Sequence, residues 1–264
     1  TAAARRDIVR ITTRAAGLCQ EGQPPADVLR DLKAGLDRLA PTVASLEPFT
    51  PPPTGAHFLA QEFPPPKWLV EDVVPAGGCC WLFGPPKSLK SWSALDLALA
   101  VASGQTWLGR RTTPGRVWIV DAESIAARLQ DRLQRLAAGR GLATADLSNL
   151  IVECPGRFLL SRMRDLERFR RSVREIQPAL IVLDCWQRFH ALDENKAADM
   201  GPLLGDLREA AAGAAAIAIH HARKPQNGQG RGSSTGDRIR GSSDLWAWAD
   251  AALAVTRRGA HVTI

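Results

Sequence analysis

The chain has 264 residues, 45% of them apolar and 23% charged, with a formal net charge of +7. That length holds one sizeable core plus a small appendage, with the composition of an ordinary soluble globular protein. No run approaches eighteen uninterrupted apolar residues and no charged-then-apolar segment opens the chain, so a helical membrane span is excluded and no membrane partner is expected.

The first elements are helical. Residues 2–20 and 25–40 both carry helical apolar spacing, the second through Val28, Leu29, Leu32, Leu36 and Leu39. Pro24-Pro25 separates them, a stop for one helix and a start for the next. From 41 to 66 the chain is proline-rich and aperiodic, which predicts a semi-extended linker. The division is therefore a helical segment 1–40, a linker 41–66 and a main domain 67–264. Thr stands first and Ala260–Ile264 reads as a strand cut short, so a piece of a longer polypeptide, truncated at its C-terminus, is expected.

Beyond residue 66 strand and helix patterns alternate. The spacing predicts strands at 79–83, 116–121, 150–154, 179–184, 215–219 and 250–256, and helices at 91–103, 124–140, 162–176, 199–213 and 242–249. The strands are continuously apolar, as strands buried on both faces are. The result is an α/β fold, a mostly parallel twisted sheet flanked by helices and preceded by the small helical segment. The eight tryptophans fall mostly on strands and apolar helix faces and read as core. In 162–176, Met163, Leu166, Phe169, Val173 and Ile176 form an apolar face, and six arginines lie largely off it as a solvated face. Five cysteines without a C-x-x-C pair read as reduced thiols in a cytoplasmic protein, with no zinc spacing.

The chemistry starts at residues 79–95, CCWLFGPPKSLKSWSAL: apolar strand, Gly/Pro/Ser loop, Lys-Ser, helix. That order makes a phosphate-binding loop, because backbone N–H groups and the positive end of the helix point at an anion. Gly84, Pro85, Pro86, Lys87, Ser88, Leu89, Lys90, Ser91 and Trp92 are the nucleotide-binding candidates. Lys90 would reach the β/γ-phosphates, Ser91 would ligate Mg²⁺, and Trp92 would stack on a base. The motif wants glycine where Leu89 stands. A leucine is tolerated there if its backbone avoids positive φ, which predicts an altered loop.

Three further features accompany the loop. Asp184 ends an apolar strand, as a Mg²⁺-holding carboxylate would. VWIVDAE at 117–123 ends in two acids. Glu123, the longer, is preferred over Asp121 for orienting an attacking water, against the alternative that it stabilises the start of helix 124–140. His220-His221 follow strand 215–219, where either could sense a γ-phosphate or serve as a cap or core histidine. Residues 222–240 carry five basic residues and one acid in a Gly/Ser-rich stretch, which predicts a mobile loop. Contact with single-stranded nucleic acid and an arginine finger onto a neighbour's ATP both suit it. Residues 1–66 hold seven basic and seven acidic residues, against 27 and 20 in 67–264, so the whole basic excess lies in the main domain and favours a polyanionic partner.

From about Lys67 onward the chain resembles the RecA-fold, AAA-type P-loop ATPases related to the plasmid-replication helicase RepA and their phage and mobile-element relatives. The resemblance rests on GPPKS-x-KSW-x-ALDLALAVASG, GRVWIVDAESIAARLQDRL, LIVLDCWQRFHALDENKAADM, IAIHHARKP and RIRGSSDLWAWADAALAV. It implies a hexameric ATPase acting as a DNA helicase in replication, with ATP and Mg²⁺ as cofactors and single-stranded DNA as partner. It assigns Lys90 and Ser91 to phosphate and Mg²⁺, Asp184 to the metal and Glu123 to the catalytic base. His220 or His221 becomes the γ-phosphate sensor, and Arg240 the finger donated to a neighbouring subunit, with Arg231 competing. Arg188, Arg223, Lys224, Arg231 and Arg238 would face the channel that carries DNA. The alternative function is a nucleotide-gated DNA-binding or regulatory ATPase without unwinding. A small-molecule kinase on the same scaffold is a third reading.

Overall fold

A computed structural model describes residues 2–44, 51–63, 65, 67–222, 243–259 and 261–264. The chain divides into two compact units, Thr1–Pro64 and Pro65–Ile264. In the first, α1 (Ala2–Gln20) and α2 (Pro25–Ala44) are joined by a short turn through Gly22 at φ 75°. The helices approach closely at Gly35, where a Cβ would lie 2.8 Å from Ile11 Cγ2, and Arg14 pairs with Asp31 at 2.9 Å. The proline-rich stretch is less extended than its composition suggests. α2 continues through Pro41 to Ala44, and a short helix α3 (Gly55–Leu59) follows, its first turn held by the His57 N–H donating to Thr54 Oγ1 at 3.3 Å.

The second unit opens with a small antiparallel pair, β1 (Trp68–Val70) and β2 (Val74–Pro75). Its centre is a six-stranded sheet of β3 (Cys79–Gly84), β4 (Val117–Asp121), β5 (Leu150–Glu153), β6 (Leu180–Asp184), β7 (Ala215–His221) and β8 (Ala251–Ala254). The spatial order is β5-β4-β6-β7-β3-β8, and every neighbouring pair is parallel. β3, β4 and β6 are buried throughout, as their uninterrupted apolar runs require, whereas β5 and β8 at the edges are only half-buried. A last hairpin, β9 (Thr256–Arg258) with β10 (His261–Thr263), is antiparallel.

Strand alternation sorts the core into two layers. Trp81, Phe83, Trp118, Leu183 and Ala218 face α6 (Met163–Ile176), α7 (Ala197–Ala210) and α8 (Ser243–Trp248). Here aromatic rings fill the space: Trp81 meets Trp186 at 5.6 Å and Trp248 at 5.0 Å, and Trp118 meets Phe169 at 5.1 Å. The indole N–H of Trp81 donates to the Leu245 carbonyl, and that of Trp248 to the Leu204 carbonyl at 2.9 Å. On the opposite face Cys80, Leu82, Ile119, Val182 and Ile217 pack under α4 (Lys90–Ser103) and α5 (Ala126–Gly139). α4 is apolar almost all round because both the sheet and its neighbours cover it. Trp68 and Trp246 depart from the core reading and stay exposed, as does Met163 on the otherwise buried face of α6. All five cysteines are free thiols, Cys19 at the surface and Cys154 half-buried. Among the described residues no helix is long and apolar enough to cross a membrane.

Parallel strands bring their carboxyl ends to one edge, and register decides which residues meet there. Asp121 at the tip of β4 aligns with Asp184 at the tip of β6, and Gly84 at the tip of β3 aligns with His221 at the tip of β7. This edge is where an open α/β sheet presents its ligand crevice.

Candidate nucleotide-binding site

Chain direction reverses between β3 and α4 over Pro85–Leu89. Gly84 is required there, since a Cβ would run into the Val255 carbonyl and lie 2.9 Å from Ser88 Oγ. Leu89 overturns the sequence expectation: its φ is 73° and ψ 24°, the left-handed conformation a glycine would take. Lys87 is also left-handed, at φ 63°. The loop thus keeps its tight turn and carries the strain in the backbone. A left-handed non-glycine residue costs roughly 1–2 kcal/mol, and glycine gives back about 0.4–1 kcal/mol through unfolded-chain entropy. Leu89→Gly should therefore be stabilising, by up to about 1 kcal/mol in urea unfolding. A clear destabilisation would mean the leucine side chain contributes more through packing than its backbone loses.

The loop and the strand tips enclose a cavity of about 370 Å³, walled by Lys87, Leu89, Lys90, Ser91 and Trp92 on one side and by Glu123, Asp184, Cys185 and His221 on the other. Lys90 is buried at 6% exposure, its Nζ donating to the carbonyls of Gly84 at 3.0 Å and Pro85 at 2.9 Å. Burial pulls its pKa below the ordinary lysine value, while the charges of Asp184 and Glu123 oppose the shift. Gly84, Pro85, Pro86 and Ser88 build the loop and do not wall the cavity; Ser88 is buried, and its Oγ has no partner among the described residues.

Asp184 is 5% exposed, and its Oδ1 has no hydrogen-bond partner among the described residues. Burial pushes its pKa up to about 7, reinforced by the neighbouring charges of Asp121 and Glu123 and opposed by a hydrogen bond with Ser91 and by Arg132. An orphaned buried carboxylate oxygen beside a serine hydroxyl fits a hard divalent cation, which would return the charge that burial disfavours. Asp121 has another use: its Oδ1 accepts from the N–H groups of Glu123 at 2.9 Å and Ser124 at 2.7 Å. The turn leaves Glu123 exposed at the cavity mouth. α5 begins later, at Ala126, with no acid in its first turn, so Glu123 is not placed to support that helix.

The two histidines separate. His221 walls the cavity, its Nδ1 without a partner among the described residues, and burial with the nearby Lys90 charge lowers its pKa, so its imidazole is neutral at neutral pH. His220 points the other way, 1% exposed and edge-on to Trp81 at 5.4 Å, which removes it from the sensor position.

His220 belongs to a cluster that sequence reading missed. Glu194 Oε1 lies 3.2 Å from His220 Nε2 and 3.5 Å from His190 Nε2, while Gln187 Nε2 donates to its Oε2 at 3.1 Å. Burial would raise the Glu194 pKa, but the nearby His190 ring and the hydrogen bonds from His220 and Gln187 outweigh it and hold the carboxyl well below its usual value. A depressed folded pKa gives stability that is full above the ordinary glutamate value of 4.5 and drains away as pH falls below it. Glu194→Gln should flatten this acid-side loss in urea midpoints measured across the acid range. An unchanged slope would place the acid sensitivity elsewhere.

Arg132 and Arg257 also wall the cavity and were not foreseen. Arg132 and Arg135 lie over the Trp92 ring at 6.0 and 5.5 Å, a cation–π contact on a ring that also walls the cavity. The spacing of Arg128, Arg132 and Arg135 along α5 was a readable signal of a basic helix face; Arg257 had none. Arg188 does not wall this cavity, although it lies close enough to the Cys185 wall to act on that thiol. It is exposed at the end of a short 3₁₀ turn (Trp186–Arg188) and borders a separate depression with Arg157 and Gln187. Arg223, Lys224, Arg231, Arg238 and Arg240 lie outside the described residues.

Comparison with known proteins agrees with this geometry. A family model described as an AAA domain matches residues 45–227. The crystal structure of the RadB recombinase superposes with a TM-score of 0.50 and 22% identity, over 70% of this chain and 77% of that one. At that identity the likeness concerns the fold, a RecA-like parallel sheet with flanking helices.

Proposed function

The chain belongs to the AAA-domain family as a RecA-like P-loop ATPase, and from that premise we propose that it is an ATP-hydrolysing translocase on single-stranded DNA, a helicase of the RepA-like type acting as a hexamer in plasmid, phage or mobile-element replication. The observation that carries hydrolysis is the convergence of Lys90, Ser91, Glu123, Asp184 and His221 on one cavity. Support for nucleic acid comes from the basic excess of residues 67–264 and from the exposed Arg188 beside Arg157.

In this reading the ammonium of Lys90 leaves the Gly84 and Pro85 carbonyls for β/γ-phosphate oxygens, joined by N–H groups at the start of α4. Ser91 and Asp184 would hold Mg²⁺, which when bound neutralises phosphate charge. Glu123 orients a water and accepts its proton as the oxygen attacks the γ-phosphate. His221, neutral, donates a hydrogen bond to the γ-phosphate and reports its loss to β7. Arg132 and Arg257 offset charge from the same subunit; Arg240, or Arg231, does so from a neighbour.

An altered loop at Leu89 would favour the regulator without unwinding activity, and the glycine-like conformation of that residue weighs against it. ATP turnover measured with and without single-stranded DNA separates the two. Turnover that rises severalfold with DNA, together with strand displacement, supports the motor. Turnover indifferent to DNA, or binding without turnover, supports the regulator.

A further inference from the structure

Three potential ligand atoms meet in the cavity that nucleotide chemistry does not use together. The carboxylates of Glu123 and Asp184 and the thiol of Cys185 offer one donor each, all within 4.8 Å of one another. Two are oxygens that suit Mg²⁺; the third is sulfur, which a hard cation ignores and a borderline or soft one binds strongly. Independently, the buried Asp184 Oδ1 lacks a partner among the described residues, and its side chain walls the same cavity. Cys185 is 5% exposed yet also walls it, in hydrogen-bond contact with Glu123.

We propose that Glu123, Asp184 and Cys185 form a site for a thiophilic divalent cation of the zinc class, whose occupancy excludes Mg²⁺–nucleotide and switches hydrolysis off. The thiol proton leaves to solvent as the sulfur–metal bond forms; two carboxylate oxygens complete three protein ligands, and water takes the fourth position. Ligands bonded at about 2.0–2.3 Å in a tetrahedron stand roughly 3.3–3.8 Å apart, so one donor moves inward by about 1 Å. Glu123 is exposed and free to make that move. Once it is a ligand it no longer reaches a water, and Asp184 no longer serves Ser91. The effect on turnover rests on the ATPase reading; the binding itself does not.

Cobalt titrated into the full chain without nucleotide tests the site, because a thiolate ligand gives Co²⁺ an intense near-ultraviolet charge-transfer band. The expected result is one cobalt per chain with that band, displaced by zinc. Cys185→Ser should abolish the band although the other four cysteines remain, and Glu123→Gln, a change at an exposed side chain, should weaken affinity about tenfold or more. A non-hydrolysable Mg²⁺–ATP analogue should compete. A band as strong in Cys185→Ser as in wild type, no band in wild type, or unchanged affinity in Glu123→Gln would each overturn the proposal. A band lost in Cys185→Ser alongside wild type that binds no nucleotide would support the metal site and overturn the ATPase reading instead.

Discussion

Glu123→Gln is expected to lower steady-state ATP turnover by about 10²–10⁴-fold while changing nucleotide affinity only a few-fold, the contribution of one positioned base. The residue is exposed beside the cavity, and its backbone N–H is held by Asp121 Oδ1 at 2.9 Å, so the turn fixes where the side chain starts while the carboxylate keeps its reach. Glutamine keeps size and reach but accepts no proton. Rapid-mixing and steady-state assays on the purified protein would read the effect. A variant that turns over within tenfold of wild type would return Glu123 to an ordinary surface acid. Asp121→Asn is the companion change: it alters the turn rather than the base, so it should lower turnover less and cost stability as well.

Lys90→Ala is the second large effect. Charge-assisted hydrogen bonds contribute about 1.5–3 kcal/mol each, so nucleotide affinity should fall roughly 10–150-fold, and turnover further. The substitution also frees the Gly84 and Pro85 carbonyls, which accept from Nζ at 3.0 and 2.9 Å in the free protein. Unfolding in urea, measured beside fluorescent-nucleotide titration, separates loop damage from lost phosphate contact. Unchanged affinity would remove the lysine from the triphosphate and with it the mechanism. Arginine is a poor substitute, since a planar fork does not fit the small gap that an ammonium fills.

Much of this arrangement could be read from the chain because burial on both faces leaves a plain trace. The runs CCWLF, VWIVD and LIVLD are strands and nothing else, and their terminal residues fall at the site by register. What stayed hidden carries little local pattern. β9 is exposed along its whole length and has no apolar alternation to betray it, whereas β10 falls within the strand read at 260–264. Pro41 resembled a helix stop, yet α2 runs through it. Composition could not foresee that Leu89 would adopt the conformation its side chain disfavours, because the surrounding loop imposes it. Glu194 meets His220 from 26 positions away, and Arg257 reaches the cavity from beyond the sheet, so neither contact has a sequence spacing to detect. The two histidines looked equivalent as letters; alternation along β7 is what sends one inward and the other toward the cavity.

The Lys90 ammonium resting on two loop carbonyls has a thermodynamic consequence. Entry of a nucleotide is an exchange of partners, not the filling of a waiting positive hole. A weakly charged or poorly placed anion cannot outcompete the lysine's resting contacts, so the loop itself sets a threshold that favours polyphosphates over the simple anions crowding any cell.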